Sequence, residues 1–214
     1  MASQKTSKER WRLDINNTAL VVIDMQRAFV DKGAPMECIG ASDLVAGINR
    51  LTALCRRLGI PVIFVKANRR ADLSDSGLSK DFLSSRNNEL SALQGMKGNE
   101  FVVGLNVAKT DYVVPKIRYS ALIPGSSHLE PLLRGLRKDR FIICGVATDV
   151  CVGATTMDAM MLGFKVFLVG DLTSTFNEER QRIALEVYDK HFAKVVTFDK
   201  VMKELSQWTR KRGG

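Results

Sequence analysis

The sequence predicts a three-layer α/β/α sandwich, with helices on both faces of a six-stranded, mainly parallel sheet. Two observations carry that expectation. Six apolar runs, each too short for a helix, alternate with stretches that carry helical periodicity or helix caps. The order strand, helix, strand recurs without an internal repeat, which is the pattern of one α/β domain with parallel neighbours joined by crossovers. A chain of 214 residues is long enough to bury a substantial core in one such domain. Residues 1–13, MASQKTSKERWRL, are mostly polar and charged and read as a flexible N-terminal arm; 14–209 form the domain and 210–214 a basic tail.

Residues 18–25, TALVVIDM, read as a buried strand that carries an acid, Asp24, near its end. After a loop to Gly40, Ser42 is placed to cap a helix to about Leu58, with Leu44, Val45, Ile48, Leu51, Leu54, Cys55 and Leu58 along one face. Gly59 ends it, and a strand follows over 62–65. From 68 to 111 the pattern weakens into a polar, Ser/Gly-rich excursion with one short helix near 78–83, the kind of segment that covers a substrate or contacts another subunit. Residues 112–116 are the next strand, and Ser126 is placed to cap a helix to about Lys138. The strand 140–145 ends at Gly145, and a helix capped by Thr148 or Asp149 runs to Gly163. A strand over 165–170, a helix from Asn177 to about His191, a strand over 194–197 and a helix capped by Asp199 to about Trp208 complete the chain.

Composition narrows the function classes. Hydrophobic content is 45%, and no run approaches a membrane span. The N-terminal residues have no apolar signal core, so a cytoplasmic location is the expectation. The four cysteines form no C-x-x-C pair, which argues against a disulfide framework and against a zinc site. Net charge is +9, but the basic residues are dispersed and no aromatic residues are interleaved with them. No nucleic-acid partner is therefore expected: a solvated surface is the first reading of the charge, and attraction of small anionic substrates the second.

In an open parallel sheet, ligands bind beyond the carboxyl ends of the strands. Three reactive side chains fall on that edge: Asp24 ending the first strand, Lys116 ending the third, and Cys151 just after the fourth. Cys151 is expected in the first turn of a helix, where unpaired backbone N–H groups and the helix dipole favour a thiolate. Taken singly, its position is as compatible with a buried structural cysteine. A nucleophilic thiol needs a base for its proton and a positive charge for its thiolate, and Asp24 and Lys116 supply both. The two histidines, His128 near one helix start and His191 at a helix end, offer no Cys–His pair, and no cluster has metal-ligand spacing.

The segments ALVVIDMQRAF (19–29), VVPKIRYSAL (113–122) and CGVATDVCVGATTMDAMMLGFKVFLVGD (144–171) resemble those of the isochorismatase-like cysteine hydrolases, in the same order. That superfamily includes nicotinamidases, N-carbamoylsarcosine amidases and ureidoacrylate amidohydrolases. The resemblance implies a Rossmann-like sandwich, a triad of Asp24, Lys116 and Cys151, no cofactor and a homo-oligomer. It also implies a cis peptide between Val146 and Ala147, with the N–H groups of Ala147 and Cys151 turned toward an oxyanion. Phe29, Arg118 and Tyr119, with Arg69 or Arg70, become candidate substrate contacts. The chain departs from the family in two places. Arg27 and Ala28 replace the usual N-D of D-x-Q-N-D-F, and Ala67-Asn68-Arg69-Arg70 stands where nicotinamidases carry an Asp-x-His metal motif. The expected activity is metal-independent hydrolysis of a C–N bond in a small amide, ureido or carbamoyl acid, through a thioester. The alternatives are isochorismatase-type vinyl-ether hydrolysis and a non-catalytic oligomeric binding protein.

Overall fold

Strand β1 (Thr18–Ile23) is buried at all six positions, and its side chains feed two separate cores. Leu20 and Val22 point to one face of the sheet, and Ala19, Val21 and Ile23 to the other. That is why the strand reads as a continuous apolar run: both faces of a parallel sheet are covered. In the computed structural model, which describes residues 11–83 and 92–212, six parallel strands follow the order β3-β2-β1-β4-β5-β6. The others are β2 (Val62–Ala67), β3 (Tyr112–Lys116), β4 (Arg140–Val146), β5 (Lys165–Ser174) and β6 (Lys194–Val196). The expected fold class is the observed one.

Helices α2 (Leu44–Leu58) and α7 (Phe198–Arg212) pack on the Leu20/Val22 face. The opposite face is covered by α4 (Leu129–Gly135), α5 (Gly153–Met161) and α6 (Glu178–His191). Two short helices, α1 (Arg27–Val30) and α3 (Ser79–Leu83), lie in the connections after β1 and β2. The chain steps outward from β1 to β3 in one direction and from β4 to β6 in the other, so the switch point lies between β1 and β4. Beyond it the loops diverge and leave a crevice. Gly145 allows the two strands to close there: its φ is 107°, and a Cβ would lie 2.1 Å from the Ile23 carbonyl oxygen.

Several boundaries differ from the sequence expectation. β1 stops at Ile23, because Asp24 turns into the left-handed region at φ 48°. Ser42 lies inside a 3₁₀ turn, Ala41–Asp43, ahead of α2. Ser126 does not cap α4; its hydroxyl donates to the Ser120 carbonyl at 2.5 Å, and Ser127 Oγ accepts the Leu129 N–H at 3.0 Å. Neither Thr148 nor Asp149 caps a helix, since both belong to a π-helical turn, Thr148–Val152, that precedes α5. β5 runs four residues past Gly170, carrying extra residues against β4 where the register shifts between Ile143 and Gly145. Thr197 rather than Asp199 receives an N–H at the start of α7, from Lys200 at 3.3 Å. At the N-terminus, residues 1–10 lie outside the described residues, while Trp11 and Leu13 are not a loose arm. The Trp11 ring sits 6.4 Å from that of Phe167, and the buried Leu13 donates its N–H to Glu204 at 2.6 Å. At the other end, α7 continues through Arg212, so the first residues of the expected tail are helical.

Candidate active site

Asp24, Lys116 and Cys151 meet at the switch point. Asp24 leaves the end of β1 with its N–H donated to Val65 at 2.9 Å, and its left-handed turn aims the carboxylate across the strand ends. An aspartate tolerates that conformation better than most residues. Lys116 is the last residue of β3 and reaches past β2, its side chain 1% exposed. Its ammonium lies 2.8 Å from Asp24 Oδ2, 3.2 Å from Cys151 Sγ and 3.1 Å from the Arg118 carbonyl. Those three partners match the three donors of an ammonium. Apart from the Lys116 ion pair on Oδ2 and the neighbouring Cys151 thiol, no group among the described residues donates to the Asp24 oxygens. Its remaining lone pairs, beside the cavity, are left for a group that brings its own proton.

Cys151 sits in the π-helical turn with its thiol half-buried, whereas Cys38, Cys55 and Cys144 are fully buried. The expectation of a lowered thiol pKa is overturned. Burial pushes it up to about 12, and although the Lys116 ammonium pulls it down, the Asp24 carboxylate adds to the rise. Burial sets the direction, because Lys116 and Asp24 act in opposite senses and a thiolate would leave a buried trio with net negative charge. Burial alone would lower the Lys116 pKa, but the Asp24 carboxylate and then Cys151 outweigh it, and the ammonium is held above the usual lysine range. Both shifts favour the protonated thiol and the ammonium at rest.

The expected cis peptide between Val146 and Ala147 is present. The Ala147 carbonyl accepts the N–H groups of Val150 and Val152, both at 3.1 Å, which draws the π-helical turn tight against the end of β4. The trio opens into a small cavity of about 50 Å³. Its apolar wall is Phe29, Met36, Val150 and Phe176, and Arg69 and Tyr119 supply the polar side. The Arg69 guanidinium lies 5.4 Å from the centre of the Tyr119 ring.

Not every candidate contact belongs to this cavity. Phe29, Tyr119 and Arg69 line it, but Arg118 does not. The Arg118 guanidinium donates to the carbonyls of Asp75 and, at 3.0 Å, Ile117, and packs against Gly77, so it braces the 75–77 loop. Arg70 is likewise turned away, to Asp72 at 3.2 Å. Met36, Val150 and Phe176 were not foreseen; only Val150, next to Cys151, carried a sequence signal. Nor was Asn99, whose buried amide donates to the carbonyls of Ala67 and Ala92, both at 2.7 Å. Gln26 completes this hub, accepting the Ala67 N–H at 2.8 Å and donating to the Asn99 carbonyl at 2.9 Å. The hub ties the 92–101 segment to the end of β2, two residues from Arg69. Ala67 and Arg69 offer a methyl group and a cation where a metal would need donors, so this part of the site does not fit a metal ion.

This switch point places a Cys, Asp and Lys trio where an open parallel sheet binds its ligands. Residues 18–200 match the model of the isochorismatase domain, and the chain belongs to that family. It is 33% identical over 173 residues to a protein of Arabidopsis thaliana described as a probable inactive nicotinamidase, covering 80% of this chain and 85% of that one. It is 31% identical to the ureidoacrylate amidohydrolase RutB of Pseudomonas syringae, covering 89% and 84% of the two. Among solved structures, a cysteine hydrolase from Pseudomonas syringae pv. phaseolicola superposes with a TM-score of 0.86 at 25% identity, over 92% of this chain and 96% of that one.

Proposed function

We propose that this protein hydrolyses a C–N bond in a small amide, ureido or carbamoyl acid, without a metal ion, through a thioester on Cys151. The single observation that carries the reading is the buried contact of Lys116 with both Asp24 and Cys151, at 2.8 and 3.2 Å. With the resting thiol protonated, proton removal and attack are concerted: Asp24 takes the thiol proton as Sγ adds to the substrate carbonyl. The N–H groups of Ala147 and Cys151 hold the oxyanion. Asp24 then delivers the proton to the departing nitrogen, and an amine or ammonia leaves. A water molecule, deprotonated by Asp24, adds to the thioester and frees the acid and the thiol. Lys116, paired with Asp24 at 2.8 Å, balances the charge on sulfur as the proton leaves.

Arg69, stacked on Tyr119 in the cavity, is the natural partner of a substrate carboxylate. The amidohydrolase named among the relatives supports this substrate class. The description of the family domain favours a second reading, vinyl-ether hydrolysis with Asp24 as the acid and no covalent step. One experiment separates them. The protein is exhaustively chelated and screened against small carbamoyl, ureido and carboxamide acids, and intact mass is recorded during turnover. Hydrolysis that survives chelation, with an acyl adduct on Cys151, is the expected result. Turnover of an enol ether acid with no adduct transfers the assignment to the second reading, and recovery only with added zinc or iron rejects the metal-independent site.

A further inference from the structure

Asp149 stands two residues before the nucleophile, in the same π-helical turn, and a carboxylate there opposes the negative charge that must form on the sulfur and the oxyanion. It does not act as a helix cap, for its oxygens are taken by Thr175 and Arg180. Both its oxygens point across to the segment after β5. Thr175, fully buried, donates its hydroxyl to Oδ1, and the Arg180 guanidinium donates to Oδ2 at 2.5 Å. Arg180 is itself oddly placed. It lies in the first turn of α6, where the helix dipole disfavours a cation, and two glutamates precede it. Its guanidinium also covers the ring of Phe176 at 4.8 Å, and Phe176 is part of the cavity wall. The Thr175 carbonyl accepts the Ile39 N–H at 2.8 Å, which extends the same brace toward the loop carrying Met36.

We propose that Asp149 and Arg180 are a positioning pair: they fix the Phe176 wall of the cavity to the nucleophile's turn, and Arg180 cancels the charge that Asp149 would otherwise set beside the reacting sulfur. The other charged or titratable groups around Cys151 are Asp24 and Lys116 in contact with it and Arg69 across the cavity, with Cys38 and Tyr188 close to Asp149. None of them offers Asp149 a second cation, so the neutralisation rests on Arg180.

The inference builds on Cys151 as nucleophile, and alkylation tests it with no substrate at all, so its failure is distinct from a failure of the proposed hydrolysis. The rate of Cys151 carbamidomethylation by iodoacetamide is followed by peptide mass spectrometry at fixed, mildly alkaline pH. Arg180→Gln, which leaves Asp149 uncompensated, slows labelling about three- to tenfold. Asp149→Asn, which keeps an acceptor for Thr175 and removes the charge, leaves the rate unchanged or raises it. The double variant returns to within about twofold of the starting protein, because its two charge changes cancel. An Arg180→Gln rate that stays unmoved, or single variants that shift the rate in the same direction, overturn the charge-cancelling role. The brace is read separately from the rate with bulky N-phenylmaleimide relative to iodoacetamide. In the double variant, neutral but unbraced, that ratio rises by at least about threefold as the Phe176 wall loosens. An unchanged ratio overturns the positioning role.

Discussion

At the scale of single residues, the chemistry depends on which thiol can be reached and which partner can take its proton. Cys151 is the one cysteine of the four that is not fully buried. Cys38, although it lies in the loop after α1, is 0% exposed, and burial pushes its thiol up to about 12, with Cys151 and Asp149 adding to the rise. Iodoacetamide should therefore label Cys151 ahead of the other three in the native protein. Because its thiol is also raised to about 12, the labelling rate should climb about tenfold per pH unit across the neutral and mildly alkaline range. Peptide mapping of the labelled protein at several pH values checks both statements, and a rate that levels off near neutrality would show a thiolate already formed at rest. Cys151→Ala should fold normally and lose nearly all hydrolysis. Asp24→Asn should lose it too, since an amide cannot accept the thiol proton. Lys116→Ala carries a second penalty: it strands a buried carboxylate, and urea unfolding should show a loss of about 3–5 kcal/mol.

At the scale of elements, the site depends on close approaches that one glycine and one amide pair permit. Gly145 lets β4 close on β1 at the strand ends that carry Cys151 and Asp24. A methyl group there would lie 2.1 Å from the Ile23 carbonyl oxygen, on a backbone with φ 107°. Gly145→Ala should lower stability by about 3 kcal/mol or more and abolish activity, as measured by the urea midpoint and by turnover. The Asn99 hub should behave differently. Asn99→Ala removes the donor to the Ala92 carbonyl, while the Ala67 carbonyl keeps Gln26 at 3.0 Å. A cost of about 1–3 kcal/mol is expected. Activity should fall mainly through a higher KM, because the end of β2 sets Arg69 and leaves the trio untouched.

At the scale of the whole molecule, all four cysteines have raised thiol pKa values, and that gives stability a defined dependence on pH. Burial is the largest cause for each of them. In the unfolded chain these thiols ionise near their ordinary value of 9.0, while in the folded protein Cys38, Cys55 and Cys151 hold their protons to about 12 and Cys144 beyond. Their contribution is fully present below the unfolded value and is lost as pH rises above it, because the unfolded state then binds fewer protons than the folded one. Each such group adds a slope of about 1.4 kcal/mol per pH unit in that window. Thermal or urea unfolding from neutral pH upward should show stability falling steeply above about pH 9. Cys55→Ala should reduce the slope by one such increment, whatever it does to stability at neutral pH. A slope identical in the variant would mean that Cys55 ionises alike in both states.

The sequence by itself determined the fold class, the strand that each reactive residue follows, and the trio of Asp24, Lys116 and Cys151. These follow from short apolar runs and from residues adjacent to them in the chain, and local order is what a sequence records. It did not determine helix starts such as Ser126, where a hydroxyl has a choice of partners and a neighbouring carbonyl, that of Ser120, wins. Only the tertiary structure decided which arginine enters the cavity. Arg69, Arg70 and Arg118 look alike in sequence, yet one stacks on Tyr119, one pairs with Asp72 and one braces the 75–77 loop. The state of the thiol was decided in the same way. A helix start and a nearby lysine argue for a thiolate, but the free energy of ionising a group depends on the solvent removed from around it. That removal is the work of every chain segment that packs over the site, and no local pattern contains it.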